Sequence, residues 1–459
     1  MAARSLKIGL AVVVIFLTSI ALLPPVRAQA PLTPDQIRAA YNVNPLLQSG
    51  YTGKGVTVAI VGDHIDKTFY SDVKAFNSKY GLPDTVISVA QPYNPSRQSP
   101  DDEVTSDTEL VHAMAPDAKI LLVLNLGDFS YVADHNAADI ATWSWITWQY
   151  DSGDGSAAKK IRSDNDGYVK SVGEKITLIG ISGDWGSDNT ICSGKGDCWT
   201  KHLPNSYVTP QYSPWVTIVG GTALTLQSGT YSETGWSKSG GGASNLFPEP
   251  DWQTGSGVPQ NHARNMPDIA LNAACETTYA NYFNGSQSNF CGTSASAPTF
   301  AGIMADIEQA AGERLGFLNP TLYSLASSDP SVYHEITSGC SLLQPSPNNP
   351  ATKQGYCAHA GWNFVTGWGS IDATRLAMHL APRAHIEPAA TTTTTSHEHS
   401  TESTSIIRES RTENTPSTNL SNMKGFEYSP YILAGLAVAA LVIVGFTYAR
   451  KRAAKTHSS

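Results

Sequence analysis

One segment of this 459-residue chain is suited to nucleophilic chemistry: Gly292-Thr293-Ser294-Ala295-Ser296-Ala297-Pro298-Thr299-Phe300-Ala301-Gly302. Gly292 allows a tight approach, Ser294 stands at the mouth of a helix, and Pro298 falls in that helix's first turn. Free backbone N–H groups at a helix start can stabilise a developing oxyanion. Serine is also a favoured helix cap, and an ordinary cap is the alternative. A nucleophilic serine needs a base, usually a histidine held by a carboxylate. Neither a His-Gly-Thr-His motif nor a Gly-x-Ser-x-Gly elbow occurs here. The chain offers acids instead, in Asp101-Asp102-Glu103-Val104-Thr105-Ser106-Asp107 and onward to Pro116. Glu103 and Asp107 have the i,i+4 spacing that shares one helix face. Like charges there raise one pKa and let the pair share a proton. An acidic, solvated first turn is the alternative. A third carboxylate, Asp184 in Ser182-Gly183-Asp184-Trp185-Gly186, directly follows an apolar run. Parallel sheets bind ligands at that end of a strand, although alone it would read as a turn residue beside glycine.

These side chains need a frame. Residues 55–61, 119–123 and 176–181 are β-branched, nearly continuous apolar runs, the pattern of strands covered on both faces. They predict an α/β fold with a parallel sheet. Helices are expected around 103–114, 131–142 and 296–311, the last ending before Gly312. Six cysteines suit an oxidising compartment and three disulfides. Local pairing, Cys192 with Cys198, Cys275 with Cys291 and Cys340 with Cys357, is chosen among the possible connectivities. The absence of any Cys-x-x-Cys argues against a cysteine metal site. Asn284-Gly285-Ser286 and Asn419-Leu420-Ser421 are glycosylation sequons.

With 41% hydrophobic and 15% charged residues the chain is too apolar for a disordered protein, and 38 glycines and 27 prolines exclude a long coiled coil. The formal charge of −9 and the lack of a long basic block argue against nucleic acid as a partner. Residues 1–30 carry Arg4, Lys7, an apolar run and Ala28-Gln29-Ala30, the form of a secretion signal. Residues 431–448 are uncharged and apolar, and Arg450, Lys451, Arg452 and Lys455 follow in the tail 449–459. This predicts one transmembrane helix with a cytoplasmic C-terminus and an extracellular catalytic domain. The polar stretch 383–430, with Thr391 to Thr395, reads as a stalk; His397-Glu398-His399 in it is an incidental pair of histidines. The folded unit is then 31–382. No internal repeat is evident.

The motifs together resemble the sedolisins, serine-carboxyl peptidases that share the subtilisin fold and replace histidine with glutamate. The resemblance rests on Gly292 to Pro298, Glu103 to Pro116 and Ser182-Gly183-Asp184. It also covers Leu32-Thr33-Pro34 through Tyr41, Ser213 to Thr222, Ser239 to Gly242 and Met266-Pro267-Asp268-Ile269-Ala270, from about residue 32 to residue 372. It implies an endopeptidase with Ser294 as nucleophile, Glu103 as general base, Asp107 orienting it and Asp184, protonated, donating to the oxyanion. A monomer acting on peptide or protein substrates at acidic pH is expected. It further implies a calcium site from Glu335, Ile336, His359, Gly361 and Asn363, to which a structural loop tied by a Cys340–Cys357 disulfide is the alternative.

Several residues depart from the family pattern. The mature-like start follows Ala30 almost at once, where the family carries a long prosegment. Glu335 and Asn363 stand where it usually has Asp, which changes reach and removes a charge that a hard cation favours. Val104-Thr105-Ser106 replaces larger apolar residues, and leaves Asp101 or Asp102 as alternatives to Glu103. Two further readings stand beside this one: a histidine-dependent subtilisin-like protease using Asp63-His64 and His112, and an inactive surface-binding protein with the same fold. Trp143, Trp145 and Trp148 are either cleft-lining or core.

Overall fold

The computed structural model describes residues 29–91, 102–124, 129–150, 154–186, 192–193, 197–198, 206–209, 211–342 and 354–387. The expected transmembrane segment and basic tail, and almost all of the expected leader and stalk, lie outside these residues. Among the described residues no helix is long and apolar enough to cross a membrane.

Eight segments form one sheet: Thr57–Gly62 (β1), Ile87–Gln91 (β2), Lys119–Leu124 (β3), Ile140–Trp143 (β4), Thr177–Ile181 (β5), Thr217–Gln227 (β6), Thr230–Gly235 (β7) and Ile269–Asn272 (β8). They bond in the order β7-β6-β5-β4-β1-β3-β2, and β8 also pairs with β6. Every pairing is parallel except β6 with β7. The apolar runs read from the sequence therefore become β1, β3 and β5. Alternate residues point to opposite faces of a strand, so Val58 and Ile60 enter one core cluster while Ala59 and Val61 enter the other. Both faces are covered by helices, which is why these strands are apolar throughout.

The helices that matter here are Phe69–Tyr80 (α1), Glu103–Met114 (α2), Ser130–His135 (α3), Ser156–Gly173 (α4) and Thr293–Ala311 (α5). Helices α2 and α5 pack on the β1 side of the sheet beside Ile120, Leu122 and Ile179. Their crossing is close because Gly302 has no side chain: a Cβ there would lie 2.7 Å from both Met114 Cβ and Val111 O. The helix expected over 131–142 is corrected. It stops at His135, where Asn136 turns left-handed at φ 47°, and 140–143 becomes the fully buried strand β4. That strand is only four residues long and pairs with β1 and β5, so sheet formation overrides helical propensity. The expected disulfides Cys275–Cys291 and Cys340–Cys357 are formed. Cys192 and Cys198 face one another across a short antiparallel pair.

Packing the helices this closely buries acids. Glu109 in α2 accepts from the Tyr282 N–H at 2.9 Å, near Asp72, and burial pushes its pKa up to about 9. Glu308 in α5 accepts from Thr177 Oγ1 and the Leu315 N–H, and burial pushes it up to about 8. Asp306, fully buried, is raised well above the carboxylate range by burial against the opposing charge of Arg38. An unfolded carboxyl titrates at about 4. Each group thus holds its proton longer when folded. The stability that this permits is complete below about pH 4 and is lost as pH rises towards the folded values, by up to ~1.4 kcal/mol per pH unit for each group. The melting temperature is expected to fall steadily from acid to mildly alkaline pH, and Glu109→Gln to flatten that fall. A melting temperature that rose over this range would contradict the assignment.

Candidate active site

The sheet places its carboxyl edge where the chemistry was expected. Ser144 follows β4, Asp184 follows β5, the first turns of α2 and α5 carry Glu103 and Ser294, and Asp107 opens the second turn of α2.

Helix α5 begins at Thr293, with Gly292 as its cap at φ 102°, ψ 167°. Only glycine readily takes that φ, and a Cβ at Gly292 would come 2.4 Å from Asp184 Oδ2. Ser294 is therefore the second helical residue and not the cap, which removes the ordinary-cap reading. Pro298 sits in the second turn, a correction to its expected place in the first. There it matters more, because proline has no N–H to offer the carbonyl four residues back, which is that of Ser294. Ser144 Oγ lies 3.4 Å from this carbonyl oxygen, and Ser294 Oγ donates in turn to the Ser144 carbonyl at 3.4 Å. Thr293 and Ala295 are buried, whereas Ser294 stays partly open to solvent.

The same Ser144 hydroxyl lies 3.2 Å from Asp107 Oδ1; its single proton serves one acceptor at a time, so this buried side chain joins the acid helix to the serine's backbone fully when a protonated Asp107 donates to Ser144 Oγ and Ser144 donates to the carbonyl. Asp107 is 1% exposed, while Glu103, one turn earlier on the same face, is only partly buried. The start of α2 abuts the end of β1, where a Cβ on Gly62 would meet Val104 Cγ2 at 2.4 Å. The small residues that follow have their own use: Ser106 Oγ accepts from Asn281 Nδ2 at 2.9 Å. Asp102 occupies the cap position of α2 with helical backbone angles, and Asp101 lies outside the described residues. Ser144 had no signal of its own in the sequence. Only its position directly after a buried strand could have marked it.

Asp184 is tied to the nucleophile helix. Its Oδ1 accepts from the Thr293 N–H at 2.8 Å and from Thr293 Oγ1 at 2.7 Å, and Thr293 Oγ1 lies 3.1 Å from the Gly183 N–H. Burial raises its pKa. The Thr293 hydrogen bonds and the charge of Lys238 oppose that shift without cancelling it. Oδ1 is committed to Thr293, and Oδ2 is the oxygen that lies beside Gly292.

His112 and His64 are the histidines of the alternative reading. His112 is buried with Nε2 2.9 Å from the Pro83 carbonyl, and burial lowers its pKa. His64 lies 3.5 Å from Asp63. Trp143 is core, edge-on to Phe129 at 5.7 Å, and Trp145 is partly buried; the Trp148 side chain lies outside the described residues.

The residues expected at a calcium site do come together. Glu335 Oε1 accepts from the Gly361 N–H at 2.9 Å, Asn363 Nδ2 donates to the His359 carbonyl at 3.2 Å, and Ile336 packs with Ala358 and Val365. Asn363 Oδ1 accepts from the Val365 and Thr366 N–H groups, each at 3.0 Å, and from Thr366 Oγ1 at 3.1 Å. This donor set fits a calcium ion poorly. It offers one carboxylate, its Asn363 oxygen is already fully engaged, and an N–H group points at a carbonyl meant for the ion. Among the described residues no cluster of three or more His, Cys, Asp or Glu side chains could hold a metal.

No family profile matches the chain. Kumamolisin from Bacillus sp. (strain MN-32) is 32% identical over 381 residues, covering 77% of this chain and 64% of that protein. Sedolisin from Pseudomonas sp. (strain 101) is 33% identical over 47% of this chain and 38% of its own length. Tripeptidyl-peptidase 1 from Canis lupus familiaris is 32% identical over 48% of this chain and 40% of its length. The chain thus spans less than two thirds of the length of the curated relatives it matches. The solved structure of Pseudomonas sedolisin complexed with two molecules of pseudo-iodotyrostatin superposes with a TM-score of 0.65 and 26% identity, covering 78% of this chain and all of that one. The fold is therefore α/β and subtilisin-like. In sequence and fold the chain is thus similar to sedolisin-type peptidases.

Proposed function

We propose that this chain, whose homologues are sedolisin-type serine-carboxyl peptidases, is an endopeptidase that cleaves peptide and protein substrates in acid. One observation carries the reading: Ser144 links Asp107 to the backbone of Ser294, while Asp184 is bound to the first residue of the same helix. Glu103 takes the proton from Ser294 Oγ as that oxygen attacks the peptide carbonyl. The carbonyl oxygen gains charge and accepts a hydrogen bond from protonated Asp184 Oδ2. Glu103 then passes its proton to the departing amine, and water attacks the acyl-enzyme by the reverse route. Asp107, held by Ser144, orients Glu103 and spreads the shared proton over two carboxyls. His112 plays no part, because its Nε2 faces the Pro83 carbonyl.

The pH dependence follows from Asp184. It donates only while protonated, and an unperturbed Asp loses its proton at about 3.9. Burial moves that loss upward, so activity extends further towards neutral than an exposed Asp would allow, then falls as Asp184 ionises. The leader-like residues 1–30 and the apolar run 431–448 support secretion and anchoring by one C-terminal helix, with the catalytic unit outside the cell.

The test is peptide-library hydrolysis between about pH 2 and pH 8, with purified full chain and with intact cells expressing it. An acidic optimum is expected in both. Asp184→Asn keeps a neutral donor at every pH, so its alkaline limb should move upward while turnover falls by roughly 10- to 100-fold. A neutral optimum in the unaltered chain would return the base to a histidine. Hydrolysis by lysed but not intact cells would overturn the extracellular placement, and no hydrolysis at any pH would leave a binding protein.

A further inference from the structure

The loop from His359 to Gly367 turns on Asn363, which is 1% exposed. Three donors converge on its Oδ1, two N–H groups and one hydroxyl, and this fixes its orientation because the reversed amide would set N–H against N–H. Nδ2 therefore faces the His359 carbonyl. Across the loop the Gly361 N–H donates to the exposed Glu335 carboxylate, and the Asn363 backbone closes a two-way bridge with Gly367. The Cys340–Cys357 disulfide and the Ile336, Ala358 and Val365 cluster hold the two segments together.

We propose that this loop has exchanged a cation for a hydrogen bond: the Asn363 amide takes the structural role of a calcium ion, tying position 363 to the His359 carbonyl, and the domain is stable without metal. A calcium site needs ionised carboxylates and weakens as they protonate. A carboxamide does not titrate, so the closure made by Asn363 is unaffected by acid.

The experiment needs no substrate, so its failure leaves the peptidase reading untouched. The full chain is equilibrated with radioactive calcium at neutral pH and melted in excess calcium or in EDTA. No saturable uptake and identical melting temperatures are expected. Asn363→Asp should melt lower in EDTA, because a carboxylate has no N–H for the His359 carbonyl, and calcium should reverse that loss, more fully with Glu335→Asp added. Saturable calcium uptake by the unaltered chain, or a melting temperature that EDTA lowers, overturns the proposal. So does an Asn363→Asp chain that melts unchanged in EDTA. If the variants fail to fold, the measurements on the unaltered chain still decide the question.

Discussion

Ser294→Ala is expected to reduce kcat by roughly 10⁴- to 10⁶-fold with little change in KM, as when a unit that works together loses its nucleophile. The fold should be untouched. Ser294 Oγ makes one long hydrogen bond, 3.4 Å to the Ser144 carbonyl, and the backbone carbonyl of residue 294 that meets Ser144 Oγ survives the change. The helix start is held by Gly292 and by Asp184 on Thr293, neither of which involves the hydroxyl. Steady-state kinetics beside a melting curve distinguish the cases. A variant that keeps more than about a tenth of the activity would remove Ser294 from the reaction, and a large drop in melting temperature would make its role structural.

Glu103→Gln should cost roughly 10²- to 10⁴-fold in kcat, the usual range for general acid–base catalysis. The side chain is only partly buried and opens the first turn of α2, so an amide of the same shape has room and little folding penalty. The pH profile is the sharper readout. A carboxylate base must be ionised to accept the Ser294 proton, which sets the acid limb of the profile; glutamine has no such titration, and the limb should flatten. Asp102→Asn is the control, since Asp102 occupies the adjoining cap position. If that substitution flattened the acid limb and Glu103→Gln did not, the base would be Asp102.

Much of the sheet that frames this candidate site was legible in the chain. The apolar runs read as strands became β1, β3 and β5, because residues buried on both faces of a parallel sheet leave a nearly unbroken apolar signature. Residue type and position at strand ends and helix starts nominate Glu103, Asp107, Asp184 and Ser294 as the candidate groups. The strand Ile140–Trp143 was not legible, since four residues beside a helical turn carry no period of their own and only pairing with β1 and β5 selects the strand.

By itself the chain determined which groups could react: a serine after glycine, two acids one helical turn apart, a third acid after an apolar run. These are local facts, set by residue identity and short-range spacing. Tertiary structure alone decided that Ser144 stands between Asp107 and the backbone of Ser294, 37 and 150 residues away in the chain, and that the Asn363 amide meets the His359 carbonyl. A hydroxyl or carboxamide at any position can donate or accept. Which partner it meets depends on how distant elements pack, and that packing is absent from any local window of sequence.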